Sequence, residues 1–147
     1  MGRAVYWRLY AIENVIRVLV HSVLTAQVGP DWWPKCVDSD LQAKTSRSRS
    51  KYALNPWHSS PGLHDIYHLD LGDLNSIMRV NRSFFDTVIS DLDSWIARIE
   101  QIRLPRNVVA HMNWPSPTDR KRIDVFHHDV CALAAKVQAR VPLLAPR

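Results

Sequence analysis

An all-α fold, an antiparallel bundle of four or five helices with a long irregular connection, is what three features of the sequence predict. Apolar residues return at steps of three and four over 5–28, 71–89, 92–102 and 123–137. Helix start and stop signals flank these stretches: Gly29-Pro30, Asp70 and Ser116-Pro117. No segment alternates with the period of two that a half-buried strand needs. The 147 residues suffice for one domain, 1–147, with a sizeable core, and contain no internal repeat.

The first helix spans about 5–28. Val5, Leu9, Ile12, Ile16, Leu19 and Val23 form a stripe to bury, Gly29 suits the left-handed residue after a helix end, and Pro30 stops it. Glu13, Arg17 and His21 lie at i, i+4 and i+8 on another stripe. That spacing fits a solvated ladder of pairs, each stabilising by about 0.2–0.5 kcal/mol, or a support for a site elsewhere. Residues 30–69 read as an irregular or partly helical insertion. Trp32 and Trp33 are expected to cap the core, with base stacking as the alternative. Lys35 to Lys51 suits a polar helix carrying Lys44, Arg47 and Lys51 at helical spacing, either a solvated surface or a landing strip for phosphates.

From Asn55 to Leu69, Pro56, Pro61 and Gly62 break any period, and Trp57 and Tyr67 are expected to pin the connection over the helices. His58, His64 and His68 fall here beside Asp65 and Asp70. His64 and His68 would face one another only on a helix, which the prolines and glycine oppose, so no metal site and no cofactor is expected. Asp70 then caps a helix burying Leu71, Leu74, Ile77 and Met78, and Ser83 caps a short segment using Phe84, Phe85, Val88 and Ile89. A helix from about Asp91 buries Leu92, Trp95, Ile96, Ile99 and Ile102, and Pro105 kinks it or restarts it. Ser116, Pro117 and Asp119 supply N-cap, N1 and N3 of the last helix, which buries Ile123, Phe126, Val130, Leu133 and Val137. Residues 141–147 form a tail.

A net charge of +5 and a pI near 9.6 favour polyanionic partners without specifying nucleic acid. Cys36 and Cys131 show no C-x-x-C spacing and read as thiols in a reducing cytoplasm. No apolar run reaches the roughly 18 residues of a membrane span, since Arg17 and His21 interrupt Val15–Val28. There is no secretory core at the N-terminus. A cytoplasmic chain with no membrane partner is the expectation.

The stretch with chemical content is 103–114. On a helical wheel Arg103, Arg106, Asn107, Ala110, His111 and Trp114 share an arc of about 140°, opposite Ile102, Val108, Val109 and Met112. Guanidinium binds phosphate as a fork, imidazole exchanges protons near neutral pH, and Ala110 permits close approach. Arg106-Asn107-Val108-Val109-Ala110-His111 fits the R-x4-6-H motif with a polar residue after the arginine.

The chain in this respect resembles the HEPN superfamily of small helical ribonucleases. Tyr10–Arg17, Gly29–Trp33, Asn55–His58 and Asp70–Leu74 occur in the order seen in one branch, that of the transcript-surveillance endoribonuclease and bacterial defence proteins. The likeness covers about 5–138. It implies metal-independent RNA cleavage by a homodimer, two motif helices forming one composite cleft. Arg106 would bind the scissile phosphate, His111 would act as acid or base, and Asn107 would position either. Glu13 and Arg17, with Arg103 more distantly, would support them; Lys44, Arg47 and Lys51, where they act as a landing strip rather than a solvated surface, are the candidate RNA contacts. A defence or toxin effector of this type implies a regulatory protein subunit or antitoxin. Silencing by adenylylation of a tyrosine two residues after the histidine is disfavoured, because Asn113 stands there. The alternative is a non-catalytic HEPN-like subunit that dimerises or binds RNA or a nucleotide.

Overall fold

The computed structural model describes residues 2–147. Seven α-helices follow in order: α1 (Gly2–Val28), α2 (Trp32–Cys36), α3 (Ser39–Ala53), α4 (Leu71–Val80), α5 (Arg82–Phe85), α6 (Leu92–Ala110) and α7 (Pro117–Gln138). A single 3-10 turn spans Asp65–His68, and the described residues contain no strand. The predicted all-α class is what the chain adopts. The five longer helices match the expected number, and the added α2 and α5 are single turns too short to carry a hydrophobic period.

α1 is the axis of the bundle. Its predicted stripe is buried throughout, from Val5 and Leu9 to Ile16 and Val23. It packs most extensively on α7, whose five predicted core residues are all buried, and α4 bridges α1 to α6. Gly29 ends α1 at φ +115°, a conformation open to glycine at no steric cost. By length and composition α1 is apolar enough to cross a membrane, a test the interrupted apolar run did not anticipate; half of its most apolar window is packed inside the bundle.

The insertion is more ordered than the sequence suggested. Trp32 is wholly buried, as a core cap, and the polar helix starts at Ser39 rather than Lys35 because Asp38 caps it, accepting from the Leu41 amide at 2.9 Å. Residues 55–64 are irregular, as the prolines dictate. Tyr67 does pin this connection, donating from its hydroxyl to the Pro146 carbonyl at 3.2 Å; Trp57 does not, standing 74% exposed. Asp70 and Asp73 form a reciprocal capping box at the start of α4. Ser83 is not a cap: α5 begins one residue earlier, after Asn81, whose buried amide instead donates to the Cys36 carbonyl at 2.8 Å. α6 runs unbroken through Pro105, which is buried, so the helix neither ends nor restarts there.

Candidate active site

Arg17 projects from the middle of α1 and is only 6% exposed. Its Nε donates to the Ile66 carbonyl (3.2 Å) and Nη2 to the Leu69 carbonyl (3.0 Å), both in the segment leading to α4. Nη1 donates to Asn14 Oδ1 at 2.7 Å, and Nη2 also meets Glu13 Oε1 at 3.1 Å. The ladder of Glu13 and Arg17 is therefore not solvated. Arg17 fastens the 3-10 turn to the central helix: it satisfies the Leu69 carbonyl and is a second donor to the Ile66 carbonyl, which also accepts from the Leu69 amide at 3.2 Å.

The second oxygen of Glu13 faces α6 and accepts from Arg106 Nε at 3.0 Å, its side chain 17% exposed against 27% for the arginine. Arg106 Nη1 lies 3.4 Å from Asn107 Oδ1, a long bond, and Nη2 has no partner among the described residues. Glu13 thus grips the inner edge of the guanidinium and leaves the Nη edge for an oxyanion. These side chains border a groove of about 360 Å³ between α1 and α6, walled by Tyr6, Tyr10, Val109, Ala110 and Met112.

Three further charged groups, Lys44, Asp70 and Asp73, lie close together on α3 and at the start of α4. Lys44 on α3 pairs with Asp73 at 2.5 Å and lies 3.8 Å from Asp70. Burial alone would raise the Asp70 carboxyl, but the Asp73 and Gly72 amides with the Lys44 and Arg106 charges hold it below the ordinary carboxylate range. Of the residues expected to contact RNA, Lys44 is consequently tied into the α4 cap. Arg47 and Lys51 are exposed on α3 and make no ion pair among the described residues.

The end of α6 departs from the helical wheel. The Met112 amide donates to the Val109 carbonyl and the Asn113 amide to the Val108 carbonyl, both at 3.0 Å, the paired bonds of a Schellman closure. Met112 occupies the left-handed position at φ +62°, usually glycine's, and is 92% exposed. The closure removes two residues from their expected places. Met112 leaves the buried face for solvent, and Trp114 leaves the polar arc to lie over Gly2. His111 is the C-cap residue, exposed, its imidazole free of hydrogen bonds among the described residues, and no contact joins it to Arg106. Arg103 turns away to Glu100 (2.6 Å) and to the backbone of Gly72 on α4, with its Nε buried and unpaired.

The structure thus brings Glu13, Arg17, Arg106 and Asn107 into one network and leaves His111, Arg103, Arg47 and Lys51 outside it. Asn14 and Asp70 belong to the network and were missed, although both fall within the quoted Tyr10–Arg17 and Asp70–Leu74 stretches. No protein-family model matches the chain. Curated proteins and solved structures also give no match.

Proposed function

We propose that this protein is a metal-independent endoribonuclease acting as a homodimer, an RNA-cleaving effector of the kind found in bacterial defence and toxin systems. The observation that carries the reading is the Glu13–Arg106 ion pair, which joins two helices and presents a guanidinium edge at the mouth of a groove. The chemistry follows from what each group can do. A base takes the proton of a ribose 2′-OH as that oxygen attacks the adjacent phosphorus. The bond from phosphorus to the 5′-oxygen breaks, and an acid protonates the departing oxygen. Arg106 stabilises the charge that gathers on the phosphoryl oxygens, and Asn107 donates or accepts beside it. The products are a 2′,3′-cyclic phosphate and a 5′-hydroxyl.

One chain offers one free imidazole at the end of α6, that of His111, flanked in sequence by the groove residues Ala110 and Met112, and the reaction uses an acid and a base. A second copy supplies the other His111. Apolar surface around the site supports such pairing: Tyr6, Trp7, Tyr10, Leu104, Met112 and Trp114 are each more than half exposed, a concentration that marks interaction surfaces. Met112 keeps a left-handed backbone with its side chain fully outward, a strain that a docked partner would offset.

The test is incubation of the purified protein with total RNA in EDTA and end-group analysis of the fragments. Cleavage leaving cyclic phosphate, lost in both Arg106→Ala and His111→Ala while the melting temperature stays within about 3 °C, is the expected result. A second reading, a non-catalytic subunit that dimerises or binds RNA or a nucleotide, rests on the absence of any contact between His111 and Arg106. Retained dimer and RNA binding with intact RNA would favour it.

A further inference from the structure

A second cavity, of about 630 Å³, lies beyond Arg17 on α1, between that helix, His64 and the C-terminal tail. Its polar lining is His21, Thr25, His64 and Arg147; Pro30, Leu143, Leu144 and Ala145 supply apolar wall. The two imidazole rings meet edge to face at 5.0 Å between centroids. The hydrogen bonds around them fix their tautomers. The Trp32 indole donates its Nε1–H to His21 Nδ1 at 3.3 Å, and the Ile66 amide donates to His64 Nδ1 at 3.1 Å. A neutral ring that accepts at Nδ1 carries its proton on Nε2. Both rings therefore present Nε2–H groups, and neither Nε2 has a partner among the described residues.

This pattern decides between a metal and an anion. A cation would need a bare Nε2 lone pair on each ring, which moves the proton to Nδ1 and sets N–H against the Trp32 and Ile66 N–H groups. An oxyanion needs no such rearrangement. Arg147 adds a guanidinium, and Thr25 adds a hydroxyl that is buried at the wall without a partner. No carboxylate side chain lines the cavity, and Asp65, whose charge is felt at His64, is paired with Arg49 at 2.6 Å. Burial lowers both imidazoles, His21 to about 4 with the neighbouring His64 contributing, so both are neutral donors at physiological pH.

We propose that this cavity binds a small organic phosphate monoester, its oxyanion held by His21 Nε2–H, His64 Nε2–H and Arg147 and its organic body against Leu143, Leu144 and Pro30. The volume falls in the usual range for small-molecule sites, roughly 300–1,000 Å³, and exceeds what an inorganic ion fills. The site shares no lining residue with the groove at Arg106.

Phenyl phosphate and inorganic phosphate are titrated into the full chain at pH 7.5 and constant ionic strength, reading long-range proton–nitrogen spectra of the imidazoles. The expected result is Nε2–H tautomers at His21 and His64, saturable shifts of both, and tighter binding of phenyl phosphate by about threefold or more. Arg147→Ala, at an exposed residue outside the core, weakens binding about three- to tenfold. Nδ1–H at either ring, no saturable shift up to about 10 mM, equal affinity for the two probes, or zinc bound with loss of both Nε2 protons would each overturn the proposal.

Discussion

Replacing Arg17 by leucine should be among the more damaging single changes in this protein. Leucine keeps the aliphatic contacts of the side chain and removes the guanidinium. Left behind are the carbonyls of Ile66 and Leu69, Asn14 Oδ1 and Glu13 Oε1, all held at 2.7–3.2 Å in the native fold. Breaking a buried ion pair by removing one partner costs about 3–5 kcal/mol, and the one stranded carbonyl, that of Leu69, costs about 1–3 kcal/mol where water cannot reach it, since Ile66 keeps the Leu69 amide. Glu13 keeps Arg106 and the segment 65–70 can loosen toward water, so a total near the lower figures, about 4 kcal/mol, is expected. For a chain of this length that is a fall in melting temperature on the order of 10 °C. Urea denaturation followed by circular dichroism measures it, with the midpoint lowered and the slope retained. Hydrogen exchange should place the first loss of protection at 66–74. A loss below about 1 kcal/mol would refute the reasoning, because Arg17 would then be a solvated surface pair and its burial of no energetic consequence.

Other expectations follow from the same contacts. Met112→Gly should stabilise the isolated protomer by up to about 1 kcal/mol, since the left-handed backbone is relieved and a fully exposed side chain has no packing to lose within the chain; a lower melting temperature at concentrations where the protein is monomeric would contradict this. Stability should fall as pH drops from about 6.5 toward 4, because His21 is neutral in the folded state and takes a proton in the unfolded state across that window. After reduction for partial exposure and solvent screening, His21 accounts for about 1–2 kcal/mol of the loss. His21→Gln should flatten the melting temperature between pH 5 and 6.5, and an unchanged slope would sink the assignment. Cys131 is exposed and Cys36 buried with its thiol raised by desolvation, so a thiol reagent should label one cysteine quickly and the second only with denaturant.

The scaffold was legible because its signals are local. The heptad stripe of α1 and α7, the Asp70 and Ser116 caps and the Gly29 stop each act within a turn or two, and each is where the sequence put it. What was not legible depends on partners distant in sequence. Arg17 is a structural strut because the carbonyls of Ile66 and Leu69 arrive beside it, 49 and 52 residues away, and no periodicity reveals backbone acceptors. The helical wheel misplaced Met112 and Trp114 for a different reason. It assumes the helix continues, whereas the Schellman closure ends it with methionine where the usual glycine would have signalled the stop. Of the two outcomes expected at Pro105, the restart does not occur: α6 tolerates the missing amide in its interior.

Glu13 makes the fold and the site interdependent. One oxygen serves the strut Arg17 and the other serves Arg106, so a single carboxylate joins α1 to the 3-10 turn and to α6. Glutamine there has one accepting oxygen, and its NH2 must face an arginine N–H on one side or the other. If it faces Arg106, the groove loses its anchored cation while the strut survives; if it faces Arg17, the turn loosens while Arg106 stays in place. Activity alone does not separate these outcomes, because either disturbs the groove. Hydrogen exchange at 66–70 does, since only the second exposes the amides there. A Glu13→Gln variant inactive toward RNA yet fully protected at 66–70 would assign the lost activity to the orientation of Arg106. The Arg17→Leu variant, with Glu13 intact and still paired to Arg106, supplies the opposite case: a loosened turn beside an anchored guanidinium.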